Sequence, residues 1–208
     1  MLRDDHLSCH SGAEHIMAMP ALQGRRWSVR EVRQLIADAP LATPRYELVS
    51  GELLVTPSPT ALHQSAVTLL LTMLDSYARK NRIGVAYTSP FDVELEPETL
   101  VQPDVFVTAT REARRLLTEM PARELLVAAE VISPSSARYD RVTKRALYQR
   151  HVSEYWVIDL NARLVERWLP NDDRPALLVD TLVWRPTGAS ESFTLELPGY
   201  FADVYLER

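Results

Sequence analysis

The chain has 208 residues, with 23 Lys and Arg against 28 Asp and Glu, a formal net charge of −5. That balance excludes a protein that coats nucleic acid through bulk charge. A content of 46% apolar and 25% charged residues excludes wholesale disorder and a fibrous repeat.

One cysteine, Cys9, cannot form an internal disulfide, and no apolar run is long enough to span a bilayer. With no apolar leader-like segment at the N-terminus, the expectation is a cytoplasmic protein with no membrane partner. Residues 1–26 show no apolar periodicity and are expected to be a disordered tail, although His6, Cys9, His10 and His15 within it could bind a metal ion. Met17 and Met19 offer alternative translation starts. Residues 27–208 are expected to form a single domain.

From Ser28 the pattern becomes regular. Ser28 and Glu31 have capping-box spacing, and Val29, Val32, Leu35 and Ile36 predict an amphipathic helix ending before Pro40. Residues 46–49 and 52–55, joined by Ser50-Gly51, predict a β-hairpin. Thr60 then caps a helix running to about Arg79, with Leu62, Ala66, Leu69, Leu70, Met73, Leu74 and Tyr77 on its buried face. Strands are expected at 85–88, 91–95 and 104–107, followed by a helix near 111–119. The almost continuous apolar run 125–132 reads as a strand covered on both faces. A basic helix over 138–151, a strand at 154–159, and edge strands at 164–168, 177–183 and 193–197 complete the order. The result is an α/β fold with a mixed sheet flanked by helices and extra C-terminal strands.

Glu130 interrupts the apolar run, and a carboxylate there costs several kcal/mol unless a cation or strong donors meet it. Asp104 stands 26 residues upstream, after Pro103 at a strand start. Adjacent strands could bring the two acids together as a hard-oxygen site suited to Mg²⁺ or Mn²⁺. On the following helix Asp140 and Lys144 are four apart and share a face. They are either a surface ion pair or a device aiming the Lys144 ammonium at the carboxylates, where it would stabilise charge developing on a phosphate.

These segments together, Val101-Gln102-Pro103-Asp104-Val105, Glu130-Val131-Ile132-Ser133-Pro134-Ser135, then Asp140, Lys144, Tyr148 and residues 154–159, resemble the Uma-type endonuclease family. That family belongs to the restriction-endonuclease-like, PD-(D/E)XK nuclease superfamily. The resemblance extends from Tyr46 to Phe201 and includes residues 46–52, Pro57-Ser58-Pro59 and His63. It implies a restriction-endonuclease-like fold, a DNA substrate, and Asp104 and Glu130 as metal ligands, with a backbone carbonyl near Val131 or Ile132 assisting. Ile132 stands where the lysine of Glu-x-Lys would be, so the lysine's catalytic role passes to Lys144. An upstream acid completing the cluster would be Glu52 or Glu47, with Glu52 preferred.

His63 could act as a base, touch phosphate, or simply sit at a helix start. Gln102 and Tyr148 could line the site, Tyr148 alternatively packing on the sheet. Basic residues cluster at 79–82, 111–123 and 138–150, where they could meet phosphates locally or be ordinary solvated helix faces. The leading expectation is a Mg²⁺- or Mn²⁺-dependent endonuclease acting on DNA. Its rival is a non-catalytic DNA-binding or protein-interaction module on the same scaffold. A homodimer is expected by analogy, since cutting both strands needs two sites.

Overall fold

A computed structural model describes residues 25–39, 44–118 and 121–207. The tail histidines, Cys9 and the alternative starts lie outside the described residues. Ser28 caps α1 (Val29–Asp38) through the expected box, its side chain accepting from the Glu31 N–H while the Glu31 carboxylate accepts from the Ser28 N–H. β1 (Arg45–Val49) and β2 (Glu52–Thr56) form the hairpin. Its turn needs positive φ at both Ser50 (49°) and Gly51 (80°), a geometry that glycine supplies without strain. α2 (Ala61–Lys80) is capped by Thr60 and buries Ala66, Val67, Leu70, Leu74 and Ala78. Met73, expected on that face, is instead 41% exposed, because the apolar stripe runs through 66, 70, 74 and 78.

The central sheet has the order β3-β4-β5-β6-β7-β8. Its strands are β3 (Gly84–Thr88), β4 (Val105–Ala109), β5 (Val127–Ile132), β6 (Tyr155–Asp159), β7 (Leu164–Trp168) and β8 (Ala176–Leu178). Only β5 and β6 pair in parallel. The crossover between them carries α4 (Ala137–Tyr139), a π-helical turn (Asp140–Lys144) and α5 (Arg145–His151). Gly84 lies so close to β4 that a Cβ would stand 2.0 Å from the Thr108 carbonyl oxygen.

Every residue of β5 is buried, as its apolar run predicts. Alternation sends Ala129 and Val131 into a core under α2, and Ala128 and Ile132 into a second core with Leu147, Tyr148 and Tyr155. Glu130 faces the same way as Ala128 and Ile132, toward the π turn. Trp156, Trp168 and Trp184 are core residues.

Three expectations are corrected. Residues 91–95 form no strand: Val93 makes only isolated bridges to Val101 and Ala122, and Pro90 and Pro97 flank the segment without N–H donors. The helix expected at 111–119 is shorter, α3 (Thr110–Arg115). The last strands do not all extend the sheet edge. β9 (Thr181–Trp184) and β10 (Phe193–Glu196) make their own two-stranded sheet, burying Leu182, Trp184, Phe193 and Leu195 in the core that holds Trp156. The chain then enters α6 (Leu197–Val204), whose Pro198 sits in the first turn. No helix among the described residues is long and apolar enough to cross a membrane.

Candidate active site

β4 and β5 run antiparallel with Val105 opposite Ala129, which sets Asp104 beside Glu130. The Asp104 N–H points at Glu130 Oε2 at 3.4 Å, and the Val131 N–H donates to Asp104 Oδ2 at 3.0 Å. The segment before Asp104 is laid along β1 by reciprocal hydrogen bonds of Leu48 and Leu100 at 2.7 Å. Arg45 and Glu47 alternate onto the hairpin face that looks at this seam.

Lys144 enters from the opposite side. The wide π turn holds Asp140 and Lys144 inward, both buried. Lys144 Nζ lies 2.9 Å from Glu47 Oε2, 3.0 Å from Glu130 Oε1 and 3.7 Å from Asp140 Oδ1. The ammonium is therefore aimed at the carboxylates and is not a surface charge. Tyr148, one turn on, donates to Glu130 Oε1 at 3.2 Å while stacking on Tyr155. Both roles weighed for it in the sequence are filled at once.

Asp104 is clasped on its other side. Arg45 Nη1 donates to Oδ1 at 2.9 Å, and His63 Nε2, from the first turn of α2, meets Oδ2 at 3.0 Å. Gln102 acts through its backbone, the N–H holding Glu47 Oε1 at 2.7 Å, while its side chain turns to Asp92.

Glu52, preferred from sequence as the upstream acid, is exposed and outside these contacts. Glu47, 1% exposed, occupies the cluster instead. The pairs Val49 with Glu52 and Glu47 with Leu54 share one face of the hairpin, so depth and not alternation separates the two acids. Arg45 was not singled out from sequence, although its spacing of two from Glu47 on a strand puts it on the same face.

The electrostatics follow from burial. Burial pushes the Glu130 carboxyl well above its ordinary value; Lys144 opposes this, and Asp104, Asp140 and Glu47 add to it. Asp140 is raised for the same first reason. Burial would raise Asp104 too, but the hydrogen bond and charge of His63, with the charges of Arg45 and Lys144, hold it below the usual carboxylate range. Lys144, despite burial, is held cationic by Glu130, Glu47 and Asp140.

Four carboxylates, Glu47, Asp104, Glu130 and Asp140, thus enclose two permanent cations, Arg45 and Lys144. A divalent cation there would lower the cost of keeping these buried carboxylates ionised. Among the described residues no three His, Cys, Asp or Glu side chains converge as a ready-made metal cage. Lys144 already fills the point where Glu47, Glu130 and Asp140 meet. Asp104 and Glu130 remain as a hard-oxygen pair, and Mg²⁺ commonly binds through one or two carboxylates while keeping water and phosphate ligands. The donor type therefore fits.

The expected basic surface is largely neutralised. Arg79 pairs with Asp75, Lys80 with Glu191, Arg111 with Glu124, Arg115 with Glu112, Arg141 with Asp159 and Glu166, and Arg150 with Glu96.

A family model, Uma2, described as "Putative restriction endonuclease", matches residues 31–199. No curated protein matches. A solved structure from Anabaena variabilis, described as "a putative nuclease belonging to DUF820", is similar with a TM-score of 0.67 and 18% identity, over 81% of this chain and 96% of its own. At that identity the likeness carries the fold.

Proposed function

The chain belongs to the Uma2 family, and from that premise we propose that it is a metal-dependent endonuclease hydrolysing phosphodiester bonds of DNA, with residues 27–208 as one restriction-endonuclease-like domain. The observation that carries this reading is the buried convergence of Asp104, Glu130 and Lys144, with Glu47 and Asp140 holding the ammonium and Arg45 holding Asp104. Buried carboxylates with strongly shifted titration, gathered around one lysine, are the kind of cluster that functional sites build.

Asp104 and Glu130 would hold Mg²⁺ or Mn²⁺, which when bound supplies Lewis-acid charge at the phosphate. Val131 N–H, Arg45 and His63 fix the Asp104 carboxylate, and Tyr148 and Lys144 fix Glu130. Hydrolysis forms a bond from a water oxygen to phosphorus and breaks one from phosphorus to a deoxyribose oxygen, the water giving up a proton to solvent and the leaving oxygen taking one from it, with charge accumulating on the other phosphoryl oxygens. Lys144, held cationic, cannot act as a base; its ammonium stabilises that charge. Glu47 and Asp140 keep the ammonium in place.

The test is incubation of supercoiled and single-stranded DNA with and without Mg²⁺ or Mn²⁺, comparing wild type with Asp104→Ala, Glu130→Ala and Lys144→Ala. Metal-dependent cleavage lost in all three supports the reading. Equal trace activity in all four proteins replaces it with the non-catalytic module.

A further inference from the structure

Both hydrogen bonds of Arg45 leave from one nitrogen. Nη1 donates to Ser89 Oγ at 2.7 Å and to Asp104 Oδ1 at 2.9 Å. The side chain is only 10% exposed, yet its Nε–H is buried without a partner. Among the described residues Nη2 has no partner either.

Buried N–H groups of native proteins nearly always have an acceptor, so one left open beside a candidate catalytic carboxylate calls for an occupant. The unpartnered edge carries Nε–H and one Nη2–H side by side, two parallel donors spaced for two oxygens of one phosphate or carboxylate. His63, on the other flank of Asp104, also has a buried unpartnered nitrogen, Nδ1. A single ring nitrogen cannot supply two parallel donors. The paired donors at this carboxylate belong to Arg45.

We propose that the Nε/Nη2 edge of Arg45 receives two non-bridging oxygens of a phosphate group, making Arg45 the residue that ties the substrate phosphate to Asp104. Ser89 is the positioning residue, because its hydroxyl holds Nη1 and so leaves the Nε/Nη2 edge without a protein partner. The proposal rests on the nuclease reading for its substrate, and a phosphodiester and free phosphate share the chemistry it needs.

The test uses the full chain with Mg²⁺ present and titrates inorganic phosphate in one arm and a double-stranded DNA oligonucleotide in the other. Wild type is compared with Arg45→Lys, Arg45→Met and Ser89→Ala, with melting temperature followed throughout. Arg45→Lys keeps a cation for Asp104 but has no fork. It is expected to melt like wild type and bind both probes about tenfold more weakly, the loss of one charge-assisted hydrogen bond. Arg45→Met should bind more weakly still. Ser89→Ala keeps both charges and should weaken binding a few-fold; it carries the test if either Arg45 variant melts early.

Oligonucleotide binding that depends on Arg45, without binding of inorganic phosphate, assigns the fork to a phosphodiester. Wild-type affinity in every variant, or no binding of either probe to wild type, overturns the proposal. DNA cleavage is scored separately. Arg45-dependent phosphate binding in a protein that does not cleave removes the nuclease reading and leaves the fork. Cleavage with unchanged affinity in Arg45→Lys does the reverse.

Discussion

Asp104 and Glu130 are bound to each other's strand: the Asp104 amide points at the Glu130 carboxylate at 3.4 Å, and the amide after Glu130 donates to the Asp104 carboxylate at 3.0 Å. Each acid therefore sets the other's backbone, and removing charge from one need not disturb the other's position. Asp104→Asn and Glu130→Gln, which keep the shape of the side chain, are each expected to lower metal-dependent DNA cleavage by on the order of 100-fold or more. Each should also abolish the rise in melting temperature that Mg²⁺ gives wild type. A variant that loses cleavage but keeps the full Mg²⁺ stabilisation would take that residue out of the metal site.

Lys144 sits among three carboxylates with 4% of its side chain exposed. Replacing it by Met leaves those charges buried with no cation of their own, a change of the kind that costs about 3 to 5 kcal/mol. Added Mg²⁺ should raise the melting temperature of Lys144→Met more than that of wild type, because Glu47, Glu130 and Asp140 have lost their own cation. Glu47→Gln should recover part of the loss, so that the two substitutions are non-additive in a double-mutant cycle. Strict additivity in denaturant titrations would mean that Glu47 and Lys144 do not depend on each other.

Glu130 was legible because a charge inside an apolar strand demands compensation, and Lys144 because its spacing from Asp140 puts both on one helix face. The family's ordered motifs made their convergence an expectation. Arg45 carries no such signal: a lone Arg before a hairpin is ordinary until the seam between Leu48 and Leu100 brings it to Asp104, a contact 59 residues apart. The C-terminal helix was hidden for a local reason. Leu197-Pro198-Gly199 reads as a breaker, but Pro in a first helical turn forgoes only an N–H that has no partner there. Likewise 91–95 has the alternation of a strand without a long partner to pair with.

The hairpin acids separate by depth. Glu52→Ala, at an exposed position, should change stability by no more than about 0.5 kcal/mol and leave cleavage near wild type. Glu47→Ala should reduce both stability and cleavage, since it frees the Gln102 N–H and one side of Lys144. Parallel melting and cleavage assays decide the matter, and a larger cleavage defect in Glu52→Ala would return the upstream role to Glu52.

Glu112 gives a pH dependence remote from the site. Hydrogen bonds from Arg115 hold its carboxyl below the ordinary value against burial, with the Arg123 N–H adding to the effect. A carboxyl whose value is lowered by folding stabilises the fold above the unfolded value of about 4.3, and the contribution disappears as pH falls through the folded value. Glu112→Gln should therefore be less stable than wild type at pH 7 by about 1.5 to 3 kcal/mol, the range for hydrogen bonds to a charged group. The gap should narrow as pH falls below the unfolded value, because the wild-type carboxyl then protonates and resembles the amide. Paired melting curves at pH 7 and in acid read this directly. A gap that stays constant with pH would assign the loss to packing and not to the charge of Glu112.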